Sequence, residues 1–383
     1  MANLMAKLKS LMPVSSRSFH AFERHVNNSL AQISTRIDER ADEVLRSLED
    51  LKGEHGYEQK RDMMLYWHLL QRMPGDSHRD LEEVKVDFFH SLPRPVGVFG
   101  LFQDNLAKLL GEFDAFCRSC GVSYFAGSGT LLGAYLYNDL IPWDDDIDVF
   151  VFRSDLARLR DAVALDSRFR ITERWDRCCA CKQIRFCLRA ENNPAFVDLF
   201  PLDISLSADS SALWRECLEK RGQFAHDFFE LSSSDGFKDA SWPYIDPDSP
   251  QWEQIEALYN HHYASYGSPV NDSASLSNPK TILRGIDNIN ESRSTGPWPY
   301  SEWAPAREMK FRDFNLLVPR EWKSYLRRHY GDFYVIPKDM DSHEHVSREL
   351  LEEVTTNEAL NRYVSDDVAD WWRPLFAPLF TLS

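Results

Sequence analysis

FAGSGTLLGAYLYNDLIPWDDDIDVFVF, residues Phe125 to Phe152, sets a small-residue turn and an apolar helix start just ahead of an apolar strand loaded with carboxylates. Four of the five residues from Asp144 to Asp148 are aspartate, and Val149-Phe150-Val151-Phe152 follows at once. Each buried carboxylate costs roughly several kcal/mol unless a positive charge compensates it. A divalent cation with oxygen ligands does so, and Mg²⁺ sites use one or two carboxylates together with substrate phosphates. Alternation along a strand sends Asp146 and Asp148 to one side and Ile147 and Val149 toward the core. Asp144 joins the acidic face if the strand begins that early; Asp145 does not. Upstream, Gly127-Ser128-Gly129-Thr130 opens an apolar helix start. Glycine there permits close backbone approach, and a Ser or Thr cap leaves backbone N–H groups to hold an anion.

Taken singly, each half has a plain reading. GSGT is an ordinary turn, and an acid cluster also suits a solvated loop or a calcium site. The glycines match neither the dinucleotide fingerprint nor a P-loop. In this order and spacing the two halves point to phosphoryl chemistry on a nucleotide-like donor.

The segment GTLLGAYLYNDLIPWDDDIDVFV resembles the signature of the LicD/fukutin family, part of the nucleotidyltransferase-fold superfamily. Its pattern is a G-T-L-L-G helix start, a spacer of about ten residues, then I-P-W-D-D-D-I-D. The resemblance implies a third acid on a later strand, and PAFVDLFPLD supplies Asp198 between Val197 and Leu199. Glu308 to Pro337 resembles the usual end of that domain, so the similarity runs from about Arg94 to Pro337. The implied fold is α+β: a nucleotidyltransferase-like mixed β-sheet flanked by helices, with the helices expected on one side.

The implied activity is transfer of a phospho-alcohol from a CDP-linked donor to a hydroxyl of a glycan or lipid-linked glycan, releasing CMP. CDP-choline is the first choice, with CDP-ribitol and CDP-glycerol as alternatives. Asp146, Asp148 and Asp198 would hold one or two Mg²⁺ ions, with Mn²⁺ able to substitute. Asp198 or Asp144 would accept the attacking hydroxyl's proton. Gly127, Ser128, Gly129, Thr130 and Arg185, with Lys182 nearby, would position the donor phosphates. Two rivals are a true nucleotidyltransferase, and a non-catalytic helical assembly protein with vestigial acids.

Composition narrows the classes further. The formal net charge of −16 lacks the basic footprint of a nucleic-acid binder. No apolar run reaches membrane-spanning length, and MANLMAKLKSLMPVSS lacks a sustained signal core. A cytoplasmic location is therefore expected, with peripheral contact at the inner membrane face as a second reading. Seven cysteines, an odd number, do not suggest a disulfide framework. Cys117-x-x-Cys120 and Cys178-Cys179-Ala180-Cys181 offer thiolates for zinc, but Cys117 falls on the apolar face of a strong helix, which argues against a structural zinc.

Residues 1–75 repeat apolar side chains at three- and four-residue steps, from Phe19 to Leu51. This is an amphipathic, coiled-coil-like arm that packs on the catalytic domain or on a second copy as a homo-oligomer; its basic start at Lys7, Lys9, Arg17 and Arg24 also suits an anionic membrane surface. The catalytic domain occupies about 80–340. In it an apolar helix from Val98 to Cys117 ends near Gly121, and Ser154 is expected to cap the helix after the acid strand. Short strands follow at Phe169 to Glu173, Gln183 to Arg189 and Phe196 to Leu199. Residues 205–305 read as a loop-rich acceptor-side insertion, or as a satellite aromatic core. Residues 341–383 read as an acidic helix, Glu349 to Leu360, and an aromatic tail. The pair His343 and His345 reads as satisfied or solvent-facing.

Overall fold

The computed structural model describes residues 65, 67–69, 80–264, 278–289, 296–336 and 345–365. The chain divides into two compact units, Met1–Val84 and Lys85–Ser383. Expectations for the N-terminal arm and the aromatic tail, and for His343, fall outside the described residues.

The second unit is built on an eight-stranded mixed sheet. Helix α1 (Gly97–Ser119) leads into it and stops where Gly121 takes φ +67°, a left-handed conformation that glycine adopts without a Cβ penalty. Strand β1 (Tyr124–Ala126) then runs into α2 (Ser128–Tyr137), and β2 (Asp148–Phe152) returns antiparallel to β1. After α3 (Arg153–Ala164), β3 (Phe169–Asp176) and β4 (Cys181–Leu188) form a hairpin. Strand β5 (Phe196–Ser205) lies parallel to β2. Its first half also pairs with β4, and its second half with β7 (Thr281–Arg284), while the short β6 (Tyr244–Ile245) pairs with β3.

Register fixes the faces. Asp148, Phe150 and Phe152 stand opposite Asp198, Phe200 and Leu202, while Arg185 pairs with Asp198 and Arg284 with Leu202. These residues therefore share one face. On the opposite face Phe186 meets Phe113 of α1, ring centroids 5.2 Å apart. On the acidic face Phe150 packs against Trp303 and Tyr325, which belong to α6 (Tyr300–Trp303) and α7 (Trp322–Tyr330). Helices thus cover both faces rather than one, because strands this apolar on both sides of the pleat need cover on each.

Two further expectations change, and a third narrows to one of its readings. Helix α3 begins at Arg153 with Phe152 as its N-cap and no side-chain cap, so Ser154 sits inside the first turn. Among the described residues of 205–305 the satellite-core reading holds over the loop-rich one: α4 (Ser210–Ser232) and α5 (Trp252–Ala264) build a second core with Trp175, Phe224, Phe228, Ile255, Tyr259 and Leu283. Most of the aromatics there are packing residues, though Trp242 stays exposed. The acidic C-terminal helix is two pieces, α8 (Arg348–Glu352) and α9 (Val354–Ser365), broken at Glu353, whose backbone is extended.

A buried ion network ties strand β5 to its surroundings. Arg153 donates to Asp203 (2.6 Å) and to both oxygens of Asp287 (2.8 and 3.0 Å), and Asp203 also accepts from the Tyr263 hydroxyl. Both carboxylates are fully buried, so Arg153 is what keeps the charges in place.

Candidate active site

Residues 144–147 precede β2 rather than extending it, so the acids are displayed by a loop and the first strand residue. Asp148 is fixed through its backbone: its N–H donates to Thr130 Oγ1 (2.8 Å), and its carbonyl accepts from Gly127 N–H (3.0 Å). Gln103, from α1, donates to the carbonyls of Ile141 (2.9 Å) and Asp144 (2.7 Å) and so holds the acid loop from behind.

The glycines explain why this loop can lie so close. A Cβ on Gly129 would stand 2.3 Å from Asp144 Oδ2, and one on Gly133 would meet the Asp139 carbonyl oxygen at 2.6 Å. The absent side chain of Gly129 therefore makes room for Asp144, and that of Gly133 for the backbone from Asp139 to Ile141. The other parts of the turn are engaged as well. Ser128 N–H donates to the Tyr325 hydroxyl (3.1 Å), and no side chain caps the helix at Gly127. Ser128 and Gly129 line the cavity; Gly127 and Thr130 do not.

Asp146, Asp148 and Asp198 converge, each offering a carboxylate oxygen within 4.8 Å of the others. Burial, followed by repulsion from neighbouring carboxylates, pushes the Asp146 and Asp148 carboxyls well above their usual range. Asp144 is pushed up to about 7 by burial and then by Asp148. Such mutual repulsion is what a divalent cation relieves, and three hard oxygen donors suit Mg²⁺ or Mn²⁺. All four acids line a cavity of about 750 Å³ whose wall also includes Trp143, Phe200, Arg284, Asn288 and Tyr330. A separate cavity of about 650 Å³ shares Tyr137 with it but contains none of these four acids.

The two cations anticipated for phosphate are already committed. Arg185 donates to both Asp198 oxygens (2.8 and 3.4 Å), and Lys182 lies 2.9 Å from both Glu173 and Glu256. His345, expected to be satisfied or solvent-facing, also lines the cavity and is held there by Asp145. Asp145, nearly buried, accepts from His345 N–H (2.6 Å), His345 Nδ1 (2.8 Å) and Val346 N–H (2.8 Å). This places His345 Nε2 3.6 Å from Asp146 Oδ2, and the bond to Asp145 raises the imidazole to about 9 against the opposing effect of burial. The His-x-His spacing was the one available signal for His345. Cys179 and Cys181 also line the cavity, whereas Cys117 lies in the main core. Among the described residues, no cluster of three metal-ligating side chains includes a cysteine.

Comparison with known proteins converges on the same segment. Residues 121–243 match the family model described as LicD/FKTN/FKRP, nucleotidyltransferase domain. The chain is 31% identical over 108 residues to the lipopolysaccharide cholinephosphotransferase LicD of Haemophilus influenzae, covering 25% of this chain and 41% of that one. It is also 31% identical over 87 residues to the mouse ribitol 5-phosphate transferase FKRP, covering 22% of this chain and 17% of that one. The human FKRP protein is 30% identical over the same length. The chain thus spans less than half the length of these relatives. The family match is narrower than the Arg94 to Pro337 span suggested by motifs: it holds the glycine turn, the four acids and Arg185, while Arg284 and His345 lie beyond it.

Proposed function

We propose, from the match of residues 121–243 to the LicD/FKTN/FKRP nucleotidyltransferase domain, that this protein transfers a phospho-alcohol from a CDP-linked donor to a hydroxyl of a glycan or lipid-linked glycan, releasing CMP. The observation that carries the reading is the convergence of Asp146, Asp148 and Asp198 in one cavity. Phosphocholine is the first-choice group, since the bacterial relative is a cholinephosphotransferase; ribitol phosphate is the second, after the mammalian relatives. We attach a cytoplasmic setting to this reading. No described helix is long and apolar enough to cross a membrane.

Asp146, Asp148 and Asp198 would hold Mg²⁺, which when bound supplies Lewis-acid stabilisation of phosphoryl charge. The acceptor hydroxyl oxygen bonds to the phosphorus bearing the alcohol as the bridging P–O bond breaks, and that electron pair leaves with CMP. Asp144 is our choice to take the hydroxyl proton, because both Asp198 oxygens already accept from Arg185. Arg185 then serves to aim Asp198. Ser128 and Gly129 form the cavity wall beside Asp144.

The test is CMP release from CDP-choline, CDP-ribitol and CDP-glycerol, with Mg²⁺ and with EDTA. One donor should react, and Asp148→Asn should lose more than the ~100-fold that outer-shell positions around a metal cost. A product carrying NMP would instead identify a nucleotidyltransferase. Silence on all three donors without Mg²⁺ binding would favour the assembly-protein reading.

A further inference from the structure

We infer that Arg284 is the cation that receives the donor's diphosphate; this rests on the reading of the cavity as a phosphoryl-transfer site. Arg284 ends β7, opposite Leu202, on the same sheet face as Asp148 and Asp198. Its guanidinium lies over the rings of Phe150 and Phe200, 5.1 and 5.3 Å from their centroids, and lines the acidic cavity.

Three observations separate it from the other cations there. Arg185 and Lys182 are spent on carboxylates, as described above. Arg284 makes no ion pair within 4.0 Å among the described residues, and its buried Nε has no hydrogen-bond partner. A buried polar atom left without a partner is costly; the Nε atoms of Arg160, Arg177 and Arg221 share that state, but of these four arginines only Arg284 lines the acidic cavity, where an arriving group can meet it. The two phenyl faces hold the guanidinium by cation–π contact without consuming its N–H donors.

The chemistry of that later group follows from its surroundings. The planar fork of an arginine matches the paired oxygens of a phosphate. A diphosphate in this cavity would meet Arg284 on the same sheet face as Asp148 and Asp198. Neither inorganic phosphate chemistry nor this placement requires a particular base, so Arg284 recognises the diphosphate and leaves selection of the nucleoside and the alcohol to the rest of the wall.

Calorimetric titration of the full chain in Mg²⁺ with inorganic pyrophosphate, CDP and ADP tests this. Arg284→Met should weaken both pyrophosphate and CDP roughly 10- to 100-fold, as expected on losing a charged hydrogen-bonding partner. If that variant fails to fold, Arg284→Gln carries the same expectation. Unchanged pyrophosphate affinity in the variant overturns the inference, as does a wild-type protein that binds no pyrophosphate. The donor reading fails separately: if binding depends on Arg284 but CDP is held no better than ADP, the inference stands and a cytidine donor does not.

Discussion

Asp145 grips His345 across two hundred residues of chain, its carboxylate accepting both the backbone N–H and the ring Nδ1 of that histidine. The segment that begins there is thereby tied to the acid loop. Asp145→Asn should cost about 2 kcal/mol, below the roughly 3–5 of a fully buried pair, because His345 remains partly exposed. Hydrogen exchange should rise over residues 345–352 and stay unchanged in β2 and β5. Uniform protection in the variant would show that the segment is held elsewhere.

Gly129 and Gly133 separate chemistry from stability. Alanine at 129 would press on the free end of the Asp144 side chain, which can rotate away, whereas alanine at 133 would press on backbone at Asp139 and Ile141. Gly129→Ala should therefore keep its melting temperature within a few degrees and lose activity by displacing Asp144. Gly133→Ala should lose about 1–3 kcal/mol in urea unfolding, the usual range for overpacking. The reverse pattern would mean that the acid loop moves freely.

Arg153 neutralises two carboxylates that have no access to water. Arg153→Met should cost about 3 kcal/mol or more, because it leaves uncompensated buried charge. Adding Asp203→Asn and Asp287→Asn to that variant should recover part of the loss. A triple variant no more stable than the single one would show that packing, and not charge, is what Arg153 provides.

His329, stacked on Tyr325 in the cavity wall, is depressed to about 4 by burial and then by the charge of Arg284. A histidine whose folded pKa lies below its unfolded value of about 6.5 disfavours protonation in the folded state. Its contribution is complete above that unfolded value and is lost as pH falls from about 6.5 toward 4. Wild type should therefore lose more stability over this window than His329→Gln, measured by urea midpoints at each pH. Parallel curves for the two proteins would assign the loss to other groups.

Local pattern made the core of the site legible. An acid run ahead of an apolar strand and a glycine turn spaced before it single out Asp146 and Asp148, and the family resemblance adds Asp198 in PAFVDLF; the structure brings the three together. What local pattern could not supply is partner choice. Arg185 is one arginine among many until β4 sets it opposite Asp198, and Arg284 sits in TILRG, a string without any motif, until β7 pairs with β5. The turn glycines were read as phosphate-facing; their neighbours show that close packing of the acid loop already demands them. The second core is legible only as one of two readings, a satellite aromatic core beside a loop-rich insertion, because its helices carry mixed faces broken by polar residues.

Strand β5 carries Asp198 near its start and Asp203 five positions on, so the acid cluster and the Arg153 network share one strand while facing opposite sides. Inherited or selected loss-of-function changes in this protein should accordingly fall into two groups that a simple activity screen cannot tell apart. One removes an acid of the cavity outright. The other weakens the helical aromatic cluster or its ion network, lets β5 drift, and spoils the alignment of Asp198 with Asp148 from a distance. Only the second group should be curable by low temperature or by suppressor mutations elsewhere in the chain.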